Sequence, residues 1–413
     1  MLEIFRDSSL LFLSRGYAWL PDARRKSADG IVHTRLFGRQ VCALRGPDAV
    51  QFFYDKSNVR REGALPRPVL DTLCGRGAVH TLDGELHRCR KDMFASLLTD
   101  PERIAALAEH AVRSWRESAA RWAGRRVVLF DEAALVLARA VCDWTGLALS
   151  DRQTLQLARD CVAMVDGFAS VGPRHWRARA ARSCQERALA RIVERTESSG
   201  SRLSTPLEVV ADHRETNGLP LDPHTVAVEL LNIIRPTIAI SWFVTFAAHA
   251  LHRWPKNRQR LQEEGSENFA TALAHETRRY YPFAPFVVGL AARDLHWHGH
   301  RISRGTMVLL DLYGQNHDPV LWADPYRFNP DRFLNRPPNP DDLIPQGGGD
   351  TKTGHRCPGE DVTVVLLATL VSELATLQYK VVEQDLSIPL NRMPTRPRSG
   401  FVMCPETLST TLL

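Results

Sequence analysis

The chain has 413 residues, 44% of them hydrophobic, so it can bury a large core and is not an intrinsically disordered protein. Its 53 basic residues against 47 acidic ones leave a formal charge of +6, spread along the chain rather than gathered in a patch, which gives no footprint for nucleic acid. No stretch reaches the roughly 18 apolar residues of a membrane span, and eight cysteines without a Cys-x-x-Cys pair or a regular spacing predict reduced thiols in a soluble, cytoplasmic protein.

In chain order, Met1 to Leu20 holds only the short apolar run Leu10 to Leu13, followed by Arg15, Arg24, Arg25 and Lys26. Ile31 to Phe37 and Arg39 to Leu44, split by Gly38, predict a hairpin. Gly46-Pro47-Asp48 opens a helix carrying Val50, Phe52 and Phe53. From Pro101 to about Thr216 the chain is rich in Ala and Arg with helical periodicity, broken near Gly124, Gly146 and Gly172-Pro173. Asp222-Pro223 is a helix start, with Asp as N-cap and Pro at the first position. The largely apolar run Val226 to Leu251 that follows predicts a central, buried helix. Phe269 to Tyr281 predicts another helix, ended by Pro282, and short strands are expected at Val287 to Leu290, Leu295 to Trp297 and Met307 to Asp311. A Pro-, Asp- and Gly-rich loop spans about Asp324 to Gly354. The last long helix begins after Pro358-Gly359 and runs to about Leu377. The class is mainly α with a minor β-sheet region, in one domain over residues 1–413. The β-rich parts fall at about 20–75 and 285–312.

Cys357 lies in the tight turn Gly354-His355-Arg356-Cys357-Pro358-Gly359-Glu360, just ahead of that last helix. A helix N-terminus carries partial positive charge and free N–H groups, which stabilise a thiolate. A thiolate so held is a strong electron-donating ligand for a haem iron. The same residue can also be an ordinary cysteine at a helix start. Glu276 and Arg279 are three residues apart on one helix face and can pair. In the central helix, Arg235 and Pro236 interrupt an apolar run. An unpaired buried charge costs several kcal/mol, and an interior proline costs about 3 kcal/mol. Two costly residues side by side suggest function, such as bidentate binding of a carboxylate by the guanidinium. The helix alone leaves a second reading open, an Arg paired with an internal acid at a packing kink.

Glu276-x-x-Arg279, Phe328-Asn329-Pro330-Asp331-Arg332-Phe333 and the Cys357 loop, in that order, resemble the cytochrome P450 superfamily. That resemblance implies the cytochrome P450 fold, with haem between the central long helix and the helix of the Cys loop. It implies a knot of Glu276, Arg279 and Arg332 behind the haem. The Arg235-Pro236 pair stands where most members carry an acid–alcohol pair, and is similar to the fatty-acid peroxygenase branch. The likeness extends to Ala64-Leu65-Pro66, His87 to Lys91, Gly172-Pro173-Arg174-His175-Trp176, Tyr280-Tyr281-Pro282-Phe283, Leu310 to Gly314 and Ile344-Pro345-Gln346-Gly347-Gly348-Gly349.

The resemblance implies hydrogen-peroxide-dependent oxidation of fatty acids at the α or β carbon, giving hydroxy acids, terminal alkenes by decarboxylation, or both. It implies haem b as cofactor, fatty acid and hydrogen peroxide as partners, and no dedicated redox protein. Cys357 is the expected metal ligand, and Arg61, His87, Lys91 and Arg356 the expected haem-binding residues. Arg235, Pro236 and His80 form the expected catalytic group, with Arg235 anchoring the carboxylate. His80 leans toward decarboxylation, while Cys74, where relatives often have Phe, departs from the pattern. Leu73, Cys74, Val165, Phe168 and Phe283 are expected to line the substrate tunnel. Two other readings are a conventional cytochrome P450 monooxygenase fed by redox proteins, and a non-catalytic haem or lipid carrier. His296-Trp297-His298-Gly299-His300 is expected to be a hairpin edge rather than a metal tract.

Overall fold

A computed structural model describes residues 7–27, 29–195 and 205–406. The first six residues of the N-terminal segment and residues 196–204 of the Ala- and Arg-rich region lie outside it. Among the described residues, eight helices have fourteen residues or more: α1 (Gly84–Leu98), α2 (Pro101–Trp122), α3 (Leu129–Thr145), α4 (Asp151–Gly167), α5 (Pro173–Val193), α6 (Pro223–Arg253), α7 (Glu267–Tyr280) and α8 (Glu360–Thr376).

Their ends follow the local chemistry. The Asp100 and Asp222 side chains accept from the first free backbone N–H groups of α2 and α6, with proline at the first helical position of each. Ser150 and Gln153 form a capping box at α4. Gly146, at φ 81, ends α3 in the left-handed conformation.

Helix α6 is the axis of the molecule. It packs against α3, α5, α8, α4 and α7, and every residue from Val226 to Ala248 is buried except Pro236. It is apolar and long enough to cross a membrane by composition, but it is enclosed by protein. Proline leaves it continuous as a helix of 31 residues.

The described residues also form ten strands: β1 (Val32–Leu36), β2 (Arg39–Leu44), β3 (Val59–Arg60), β4 (Val127–Val128), β5 (Phe286–Ala291), β6 (Leu295–Trp297), β7 (His300–Ile302), β8 (Met307–Asp311), β9 (Tyr379–Val381) and β10 (Val402–Pro405). The largest sheet has the order β1-β2-β8-β5-β3, with β2 and β8 parallel and the other pairs antiparallel. Leu36 pairs with Arg39, and both turn residues, Phe37 (φ 49) and Gly38 (φ 77), have the positive φ that a two-residue hairpin needs.

The His-rich segment is a hairpin edge, with Trp297 opposite His300, and among the described residues no group of His, Cys, Asp and Glu could hold a metal ion. Strands β4, β9 and β10 form a sheet that the sequence did not predict. They have two to four residues each, too short for an alternating pattern to register.

Candidate active site

The Cys357 loop is built from its own backbone. Asp350 accepts from the N–H groups of Lys352 and Thr353, and Cys357 N–H donates to the Gln346 carbonyl at 3.4 Å. Burial pushes the Cys357 thiol pKa up. The Gly359 N–H, Lys91 and Arg278 pull it down, and Glu360 opposes them. The donor set favours a thiolate, but burial prevails and holds the thiol pKa above its ordinary value.

Open surface persists at two residues set deep in the fold. His80 and Cys357 are both enclosed deeply by protein, yet His80 has exposed surface and Cys357 is partly open. Pro236, the one partly open residue in the buried run of α6, has surface open in the same way.

Arg235 is 7% exposed and its Nε is buried without a hydrogen-bond partner. Among the described residues no carboxylate lies within ion-pair distance of it, which removes the reading of an Arg paired with an internal acid. Its pKa is drawn down to about 10, first by burial and then by the charge of Arg182, while Cys74, Cys161 and Cys357 oppose the shift. His80 lies in its field: burial first, then Arg235 and Lys91, push the His80 pKa down to about 3, so its imidazole is neutral.

Cys74 is buried and Leu73 half-buried on the segment Leu70–Cys74, which packs against α4 and α5. Val165, on α4, is buried and Phe168 is half-buried beyond its end. Phe283 lies against Trp242 and Phe243 of α6, with ring centroids at 6.1 and 5.0 Å.

A basic cluster gathers elsewhere in the site. His87 is 2% exposed, its ring centroid is 3.8 Å from that of His355, and its Nδ1 is buried without a partner. Burial, then His355 and Lys91, hold its pKa down to about 3. Burial draws Lys91 down to about 8, and its Nζ donates to the Arg356 carbonyl at 2.5 Å. Arg61 is buried, donates to the Val288 carbonyl and stacks 4.3 Å over Phe53. The Arg356 guanidinium donates from Nε to Glu360 at 2.6 Å and from one terminal nitrogen to the Pro340 carbonyl at 3.1 Å.

The residues present fit haem. A partly open thiol stands at the head of a helix, a buried arginine on the central helix has an Nε without a partner, and buried bases are driven toward neutrality. Such bases are complementary to a pair of carboxylates, as haem carries on its propionates.

The knot is also in place. Glu276 and Arg279 are fully buried and joined at 2.7 and 2.8 Å, and Arg332 Nε lies 3.6 Å from Glu276.

Several residues escaped the sequence reading. Glu229, Asn232 and Arg235 recur every three residues along an apolar helix, a polar stripe that could have been found by its period. Glu229 accepts from Val79 N–H at 2.8 Å and from Arg90 at 3.0 Å. Asn232 and Arg182 both donate to the Cys74 carbonyl, each at 2.9 Å. His355 ties the Cys loop to Asp83 at 3.2 Å, a contact between positions 272 residues apart that leaves no sequence signal.

The family description Cytochrome P450 matches residues 258–408. Among solved structures, cytochrome P450SP alpha (CYP152B1) in complex with (R)-ibuprophen superposes with a TM-score of 0.92 at 39% identity, covering 96% of this chain and 98% of that one. Cytochrome P450EX alpha (CYP152N1) with myristic acid gives 0.91 at 37% identity, covering 97% and 98%. A variant of cytochrome P450 OleT in complex with arachidonic acid gives 0.93 at 33% identity, covering 98% and 99%. Curated relatives match over less: cytochrome P450 4e5, mitochondrial, of Drosophila mettleri is 27% identical over 149 residues, which is 32% of this chain and 28% of that protein.

Proposed function

The chain belongs to the cytochrome P450 superfamily, in the branch of the CYP152 enzymes, and we propose that it oxidises fatty acids at the α or β carbon with hydrogen peroxide as oxidant. The observation that carries this reading is Arg235: a buried guanidinium on the central helix whose Nε has no hydrogen-bond partner among the described residues. The solved neighbours with myristic and arachidonic acid support a fatty acid as its occupant.

Haem, ligated by Cys357 and held through its propionates by His87, Lys91 and Arg61, supplies the oxidation when bound. We take the haem to be haem b, as the family resemblance implies. Arg235 binds the substrate carboxylate in its two-pronged geometry. That anchoring brings the α and β carbons, rather than the far end of the chain, to the reacting side. Pro236 adds no N–H that could compete for the carboxylate. Thr237, the nearest hydroxyl on the helix, is turned away, donating to the Ile233 carbonyl at 2.9 Å.

Beside Arg235 the helix therefore offers no free acid or hydroxyl, Glu229 being engaged by Val79, Arg90 and Asn232, and the carboxylate fixed at Arg235 is the group that accepts a proton from hydrogen peroxide and returns it. Leu73, Cys74, Val165, Phe168 and Phe283 receive the alkyl chain and exclude water. His80, neutral and beside Arg235, hydrogen-bonds near the carboxylate and favours decarboxylation to a terminal alkene over hydroxylation. The enzyme works without a redox protein, in the cytoplasm, where its eight free cysteines stay reduced.

The test is purified, haem-loaded protein with a fatty acid and hydrogen peroxide and no reductase. Hydroxy acids or terminal alkenes are expected. Turnover only with oxygen and an electron donor would identify a conventional monooxygenase instead, and fatty-acid binding without peroxide consumption would identify a carrier.

A further inference from the structure

Gln346 sits between a charged relay and the sulfur of Cys357. Its Oε1 accepts from Arg278 Nε at 3.1 Å. Its Nε2 lies 3.1 Å from Thr363 Oγ1 and 3.7 Å from Cys357 Sγ. Arginine only donates, so Arg278 determines which end of the amide faces it. With the oxygen held there, the NH₂ end is turned to the sulfur, and the usual ambiguity of an amide is resolved by its partners.

Arg278 is itself fixed. It is 1% exposed, pairs with Glu360 and meets His275 Nδ1 at 3.2 Å. The second oxygen of Glu360 accepts from Arg356 Nε at 2.6 Å. The backbone of Gln346 is tied to the same cysteine, through the Cys357 N–H. The chain thus spends two buried arginines and a buried acid on holding one amide against one sulfur.

We propose that Gln346 is a positioning residue that donates a hydrogen bond to the Cys357 thiolate and limits how much electron density the sulfur gives to the iron, with the Arg278–Glu360 pair setting its orientation. The proposal rests on the family assignment and not on the substrate. A donor to a thiolate stabilises charge on sulfur and so weakens its donation to the metal, which raises the reduction potential. The Arg278 charge polarises the amide in the same sense, and Glu360 offsets part of it.

The measurement is the reduction potential of the haem-loaded protein, titrated with neither fatty acid nor peroxide present, so that it stands apart from the proposed activity. Gln346→Met keeps length and volume but removes the donor, and the potential shifts negative. Gln346→Glu places a carboxylate at the sulfur and shifts it further negative. Glu360→Gln leaves Arg278 uncompensated and shifts it positive. Opposite signs distinguish an electrostatic relay from a loosened loop. A Gln346→Met protein that keeps the parent's potential overturns the proposal, as does a negative shift for Glu360→Gln. Should Gln346→Met fail to retain haem, Gln346→Glu decides on the same criterion.

Discussion

Asn232 donates from Nδ2 to the backbone carbonyl of Cys74 at 2.9 Å and so ties the segment that precedes His80 to the central helix, about one turn before Arg235. Arg182 reaches the same carbonyl from α5, and its guanidinium lies where a side chain at Gly75 (φ +85) would project. Asn232 Nδ2 also meets Glu229 at 3.0 Å, which holds Val79. The helix turn before Arg235 and the Cys74–Val79 segment are therefore one hydrogen-bonded unit.

Asn232→Ala removes one of the two donors to that carbonyl. Losing a buried hydrogen bond costs about 1–3 kcal/mol, drawn from the fixed distance between Arg235 and the Cys74–His80 segment. The expected result is a broader mixture of α and β products at unchanged haem content, read by gas chromatography of the products. An unaltered product ratio would separate the segment from regioselectivity.

His80→Gln keeps a polar group at the site and removes the imidazole. The terminal-alkene fraction is expected to fall and the hydroxy-acid fraction to rise at comparable peroxide consumption. An alkene fraction equal to or above the parent's would sink the role given to His80.

Glu276→Ala breaks a pair buried on both sides and strands Arg279 with Arg332 nearby. Removing one partner of a buried ion pair costs about 3–5 kcal/mol. A marked drop in the thermal midpoint and poor recovery of haem-loaded protein are expected. A midpoint within a degree of the parent would show the knot to be dispensable.

Acid should destabilise the fold as its neutral imidazoles take up protons. Burial is the first cause that lowers His80 and His87 to about 3, and His249, His275 and His317 to about 4, from a value of 6.5 in the unfolded chain. Between these values the unfolded chain binds more protons than the fold. Stability is thus fully present above about pH 6.5 and is lost as pH falls toward 4. Denaturant midpoints of the haem-free protein, measured from pH 7.5 down to 4.5, should decline through that window. A flat profile would contradict neutral, buried imidazoles.

Much of this was legible in the chain. The Asp222-Pro223 start, the central helix, the Gly38 hairpin and the Glu276–Arg279 pair all obey local rules of capping, period and spacing, and the structure has them where those rules put them. Arg235 stood out because a charge beside a proline is costly in an apolar run. What stayed hidden depends on pairing across the chain. Gln346 was visible only as part of a loop, because its partner Arg278 lies 68 residues away and nothing local shows that its side chain turns to Cys357. Arg356 was expected to meet a propionate, but its sequence position gave no hint that Glu360, one helical turn on, would engage it. Strands β4, β9 and β10 are too short to carry a period and exist through their partners.

The most direct measurement of the central claim is Arg235→Ala, followed by fatty-acid affinity and peroxide-driven turnover in the haem-loaded protein. Charge-assisted hydrogen bonds contribute about 1.5–3 kcal/mol each, so losing the anchor should cost about 3 kcal/mol, a fall of roughly a hundredfold in kcat/KM. Fatty-acid binding should weaken in step while the folded, haem-loaded protein persists. An Arg235→Ala protein that keeps the parent's affinity and peroxide-driven turnover would contradict the account.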